Sequence, residues 1–241
     1  MIYSYNGCKV YYAFQGKGEG RIVLLLHGWG ASGEVFQPLI EAFPERRFLC
    51  IDFPPFGKSG EPQDWTIFSY ASMVMSLCEH LGIETCDILA HSFGGRVAIL
   101  LCALKCSLVH SCILTGSAGM KPRRTLSYHI KVLKYKIRKK FHQDVSSFGS
   151  DDFKNLSNSA QMKKTFISIV STYLEQYCQK MPQKTLLVWG NDDKETPLYM
   201  AKRLNKKIKF SSLKILPGGH YVFLDSPLAF YKTINQFWEE V

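Results

Sequence analysis

The sequence predicts an α/β fold, a mostly parallel central sheet with helices on both faces. Three observations carry that reading. Short continuous apolar runs recur along the chain, stretches of helix length separate them, and an Asn-Gly turn near the start joins two β-favouring segments. Strands alternating with helices require right-handed crossovers, which build a parallel sheet covered on both sides. With 241 residues, the chain can bury roughly 70–75% of its unfolded surface and needs no disulfide or metal to hold a core.

Ile2–Tyr5 and Cys8–Phe14 read as two short strands of a hairpin, because Asn6-Gly7 between β-formers is the strongest short-range hairpin signal. Arg21–His27 is an apolar run flanked by glycines, the pattern of a strand buried on both faces. Similar runs lie at Phe48–Asp52, Cys86–Ala90, Ser111–Thr115, Thr185–Trp189 and Ser211–Leu216. Between them Gly33–Phe43, Thr66–Leu81, Gly94–Leu104, Pro197–Leu204 and Ser226–Glu240 have helix length. The opening hairpin is expected to add antiparallel strands at one edge.

From about Gly119 to Lys180 the rhythm breaks. Leu126, Ile130, Leu133, Ile137 and Phe141 follow spacings of 4, 3, 4 and 4, an apolar stripe along one helix, and a second helix is expected over Ser159–Val170. The expected organisation is a core of residues 1–118 and 181–241 with a helical insertion over 119–180, jointed around Ser146–Asp152.

Charge follows the same division. The formal net charge is +10, from 30 basic and 20 acidic residues. Nine basic residues and no acidic one lie between Lys121 and Lys140, so the remainder holds 21 basic against 20 acidic residues, or +1. A solvated outer face is the plainer account of that run. The alternative is docking of an anionic partner such as an acyl carrier protein, a phospholipid surface or an acidic substrate. Nucleic acid is disfavoured because no binding motif accompanies the charge.

Composition excludes other classes. With 46% hydrophobic and 21% charged residues the chain resembles ordinary globular domains rather than disordered ones. The eight cysteines form no C-x-x-C pair and sit partly in apolar runs, which reads as reduced thiols in a cytoplasmic protein. Met1–Val10 has no signal-peptide core, and the longest apolar stretch, Val97–Leu104, is too short to span a bilayer.

The chemistry centres on Ile88-Leu-Ala-His-Ser92-Phe-Gly-Gly95, where a strand ends, a serine stands between small residues, and a helix begins. Such a turn is too sharp for side chains two positions either side of its apex and lifts the serine Oγ above the sheet. Ala90 stands where a glycine is usual. A serine needs a base held by an acid. Gly190-Asn-Asp-Asp193 follows one later strand and Pro217-Gly-Gly-His220 the next, in the order serine, acid, histidine. Asp192 and Asp193 both fit the acid, with Asp193 favoured and one of the pair expected to form a turn or cap before Pro197. His27-Gly-Trp-Gly30 follows the first buried strand, so the backbone N–H groups of Trp29 and Phe93 are candidate oxyanion donors.

Taken with Asp52-Phe-Pro-Pro-Phe-Gly-Lys-Ser59, these segments closely resemble the α/β-hydrolase fold superfamily over essentially the full length. The resemblance implies a Ser92–Asp193–His220 triad, a helical cap over about 119–180, and a turn-stabilising role for Asp52. Ser92 excludes the superfamily's dehalogenases and epoxide hydrolases, which use aspartate there. The expectation is therefore a carboxylesterase-like serine hydrolase that uses no cofactor or metal. Its alternatives are a C–C bond hydrolase or lyase on the same triad, or a small-molecule receptor with little turnover.

Overall fold

The computed structural model describes residues 1–123 and 160–241. Eight strands form one sheet in the order β1-β2-β4-β3-β5-β6-β7-β8. Their ranges are β1 Ile2–Tyr5, β2 Cys8–Gln15, β3 Ile22–Leu26, β4 Arg47–Ile51, β5 Cys86–His91, β6 Val109–Thr115, β7 Lys184–Gly190 and β8 Ser211–Leu216. β1 and β2 are antiparallel and β2 pairs antiparallel with β4; every later pairing is parallel. The hairpin turns where expected, with Asn6 at φ 47 and Gly7 at φ 75. Positive φ at both positions is what a two-residue hairpin loop needs.

The apolar runs are continuous because both faces are covered. In β3, Leu24 and Leu26 join one core layer with α2 (Ile67–His80) and α3 (Phe93–Leu104). Val23 and Leu25 join the other, with α1 (Gln37–Ala42) and α8 (Pro227–Glu239). β8 departs from that expectation: its residues are half-buried or exposed, because it is the edge strand. The helix expected over Gly33–Phe43 is divided into a 3-10 turn, Gly33–Phe36, and α1. Pro38, in the first turn of α1, has no N–H to continue an earlier helix. Thr66 and Ser69 form a reciprocal capping box that starts α2.

Within the expected insertion, α4 spans Ala160–Ser171 and α5 Glu175–Cys178. Ile169, Leu174 and Cys178 pack into the main core layer, and Met162 and Phe166 pack against Trp29. The stripe from Leu126 to Phe141, the joints around Ser146–Asp152 and the basic residues from Arg124 to Lys140 lie outside the described residues. The remaining helices are α6 Leu198–Lys207 and the short α7 Val222–Asp225. Among the described residues no helix is long and apolar enough to cross a membrane.

Candidate active site

Ser92 joins the end of β5 to the start of α3 with φ 49 and ψ −109, a conformation that side-chain-bearing residues rarely adopt. Its N–H donates to the Thr115 carbonyl at 3.1 Å, and its own carbonyl accepts from Gly95 N at 3.1 Å and Ala118 N at 3.0 Å. Gly94 is required by space: a Cβ there would lie 2.1 Å from the Leu26 carbonyl oxygen. At Gly95 it would lie 2.1 Å from Ser117 Oγ. Ala90, buried in β5, is accommodated.

Asp193 and His220 are brought together from the loops after β7 and β8. His220 Nδ1 lies 2.9 Å from Asp193 Oδ2, with both side chains buried. The carboxylate also accepts from Glu195 N at 2.9 Å, Thr196 N at 2.8 Å and Thr196 Oγ1 at 2.8 Å. Burial pushes the Asp193 pKa up, but the hydrogen bond and charge of His220 and the two Thr196 donors outweigh it and hold the group below its ordinary value. The expected division of labour between the two aspartates is not what forms. Asp193 both closes the turn and holds His220, whereas Asp192 is exposed and bonds through its backbone N–H to Gly218 O at 2.9 Å. A carboxylate has lone pairs enough for both tasks.

Ser92 and His220 share a neighbourhood without a hydrogen bond between them among the described residues. His91, next to Ser92, uses Nε2–H to bond the His220 carbonyl at 3.1 Å, and the two rings lie 4.7 Å apart. Gly116 follows Thr115, whose carbonyl holds Ser92, and a Cβ on it would lie 3.1 Å from His220 Nδ1. The outer nitrogen of His220, Nε2, lies 3.3 Å from Glu195 Oε2, a carboxylate that is 63% exposed.

The loop after β3 packs directly on this elbow. A Cβ on Gly28 would meet His91 Nδ1 at 2.8 Å and Ser92 Cβ at 3.4 Å, so a side chain here would push Trp29 away from the serine. His27 pins the loop. Its Nδ1–H donates to Gly28 O at 2.7 Å and its Nε2 accepts from Phe53 N at 2.8 Å. Burial, the leading cause, lowers the His27 pKa to about 4 despite the Gly28 bond and the Asp52 charge. Burial and the neighbouring His220 lower that of His91 to about 3. Both rings are therefore neutral at pH 7 and too weakly basic to hold a proton there. Phe93 opens α3, so its N–H is among the helix-start amides without an intrahelical acceptor. The Trp29 ring lies 5.3 Å from that of Phe93, 4.8 Å from Phe56 and 5.1 Å from Phe166, giving an aromatic wall beside the serine.

Asp52 stitches a turn: its Oδ1 accepts from Gly33 N at 2.8 Å and its Oδ2 from Lys58 N at 2.9 Å. Three further side chains near the site have no role assigned by the sequence pattern. Thr196 and Glu195 brace and approach the Asp193–His220 pair; the Asp-x-x-Thr spacing is a signal for the first, whereas nothing local marks the second. Arg96 is buried in α3 and donates to Ile169 O at 3.0 Å and Thr172 O at 2.7 Å, holding the C-terminal end of α4. Burial lowers its pKa to about 10, so it remains a cation at neutral pH at the favourable end of a helix dipole.

Residues 21–159 match the family described as the alpha/beta hydrolase fold. An uncharacterized hydrolase of Bacillus subtilis is 25% identical over 98% of this chain and 96% of its own length. A 2-hydroxy-6-oxo-2,4-heptadienoate hydrolase of Pseudomonas putida is 23% identical over 91% of this chain and 90% of its own. Among solved structures, an esterase from Exiguobacterium antarcticum superposes with a TM-score of 0.77 at 24% identity, covering 98% of this chain and 97% of that one. At that identity the likeness is one of fold.

Proposed function

Because the chain belongs to the alpha/beta hydrolase fold family, we propose that it is a serine hydrolase that cleaves a carboxylic ester or a related acyl bond. One observation carries the reading: the buried Asp193–His220 hydrogen bond of 2.9 Å stands beside a serine held at φ 49. In this reading His220 Nε2 takes the Ser92 Oγ proton as Oγ attacks the acyl carbon, giving up its contact with Glu195 as it does so. Asp193 holds the ring by Nδ1–H and stabilises the imidazolium. The N–H groups of Trp29 and Phe93 hold the oxyanion. The imidazolium then protonates the leaving alcohol, and water, deprotonated by His220, releases the acid from Ser92.

Residues 119–180 act here as the cap. Support comes from α4, which lays Met162 and Phe166 on the Trp29 side of the site. A second reading, hydrolysis of a C–C bond on the same residues, is favoured by the full-length likeness to the Pseudomonas putida hydrolase. The test is an ester panel of graded acyl length beside a vinylogous diketone substrate, run with wild type and Ser92→Ala. Multiple turnover of esters that Ser92→Ala abolishes supports the first reading, and turnover of the diketone alone supports the second. Tight binding with at most one turnover marks a receptor, and ester turnover retained by Ser92→Ala refutes the serine assignment.

A further inference from the structure

Charge outside the 121–140 run is nearly balanced in number, but the fold does not spread it evenly. In α6 and the residues just after it, Lys202, Arg203, Lys206, Lys207 and Lys209 occur without an acidic residue. Met200, Ala201 and Leu204 are the buried side of this helix. Tyr199, Lys202, Arg203 and Lys206 follow helical spacing along a different side, with Lys202 and Lys206 exposed. The start of the basic run is tied to that side. Arg203 bonds the Lys121 carbonyl at 2.6 Å, Arg123 N donates to Tyr199 Oη at 3.0 Å, and the Arg123 guanidinium lies 4.8 Å from the Tyr199 ring centre. Glu175, the acid at this junction, is taken up by Arg203 and accepts from Lys121 N at 3.3 Å.

Apolar groups adjoin this junction through Tyr173. Lys121 Nζ lies 5.8 Å from the ring of Tyr173, which is 36% exposed just beyond α4. On α4 itself Ile167 and Val170, spaced by three, are 52% and 40% exposed, and Lys164 is exposed one turn before Ile167. Basic side chains beside interfacial tyrosines and bare aliphatics match the layered chemistry of a bilayer surface, with anionic headgroups outside and acyl chains just beneath. A partner that is acidic but offers no apolar surface would account for the lysines alone, and Ile167 and Val170 would have no part in its capture.

We propose that the surface formed by Lys121–Arg123, the outer side of α4 through Tyr173, and α6 docks the protein on an anionic phospholipid bilayer. The lysines supply attraction of about fivefold each in affinity at low salt, and Ile167 and Val170 enter the headgroup boundary. The docking is independent of the serine chemistry.

Vesicle co-sedimentation tests this. The full chain is mixed with phosphatidylcholine vesicles, with or without about a third phosphatidylglycerol, at low and high salt. Binding is expected only with the anionic lipid, weaker at high salt. It should be about twenty-five-fold weaker in the Lys202→Gln/Lys206→Gln double variant, from two losses of fivefold each. Ile167→Ser should also weaken it, and circular dichroism should stay that of wild type in all variants. Absence of binding to anionic vesicles overturns the proposal. So does binding that the double variant retains in full, which would place attraction elsewhere in the chain. Capture by an acidic carrier protein but not by vesicles overturns the lipid assignment.

Discussion

Asp193→Asn isolates the proposed chemistry from the fold. Four donors converge on this carboxylate: Glu195 N and Thr196 N on Oδ1, and Thr196 Oγ1 and His220 Nδ1 on Oδ2. An asparagine can keep its carbonyl oxygen toward the two backbone N–H groups, which leaves its NH2 facing Thr196 and His220. Thr196 adapts, because its hydroxyl already lies 3.0 Å from the Gly116 carbonyl and can donate there. His220 adapts only by moving its proton from Nδ1 to Nε2, so the nitrogen meant to take the Ser92 proton no longer has a free lone pair. The loss expected for a wrong tautomer is about 10⁴-fold in kcat, or about 5 kcal/mol in barrier, with KM changed only a few-fold. The assay is steady-state hydrolysis of a short p-nitrophenyl ester near neutral pH, with thermal unfolding to establish that the variant is folded. Asp192→Asn is the matched control: that side chain is exposed and its backbone N–H makes the bond to Gly218, so kcat should stay within about twofold. A folded Asp193→Asn variant retaining a tenth or more of wild-type kcat refutes the assignment, as does an equal loss in Asp192→Asn.

Two further outcomes follow from groups around the site. Arg96→Ala strips the donors from Ile169 O and Thr172 O, two carbonyls at the C-terminal end of α4, and should cost about 2–4 kcal/mol in urea unfolding; a loss under about 1 kcal/mol would show that α4 is held by its apolar contacts alone. His27 and His91, with pKa values held to about 4 and about 3 against an ordinary 6.5, bind protons when unfolded that they refuse when folded. Their contribution is whole above about pH 6.5 and declines as pH falls from there toward about 4 for His27 and about 3 for His91. The urea midpoint should therefore drop between pH 7.5 and 5, and a midpoint unchanged over that range contradicts the buried neutral state of both rings. Asp193, whose folded pKa is depressed, adds stability that is present above its unfolded pKa and is lost only at lower pH, as the solution passes through the folded value.

Much of the fold could be read along the chain because its determinants are local and repeated. An apolar run such as Arg21–His27 can avoid water only in the middle of a covered sheet, and Asn6-Gly7 can turn where other pairs strain. Ser92, Asp193 and His220 were legible for a related reason: each follows a strand, and parallel strands deliver their carboxyl ends to one edge of the sheet. The edge exposure of β8 was not legible, since its sequence resembles that of the inner strands and only strand order tells the two apart.

Sequence by itself determined the class of fold, the order of the candidate triad and the concentration of charge after Gly119. Tertiary structure decided what meets what. It set Glu195 beside the outer nitrogen of His220, gave Arg96 the carbonyls at the end of α4, and joined Lys121–Arg123 to the basic side of α6. The physical reason is range. Propensity and turn geometry act over a few neighbouring residues, whereas the 73 positions between Arg96 and Ile169 are bridged only when two helices pack.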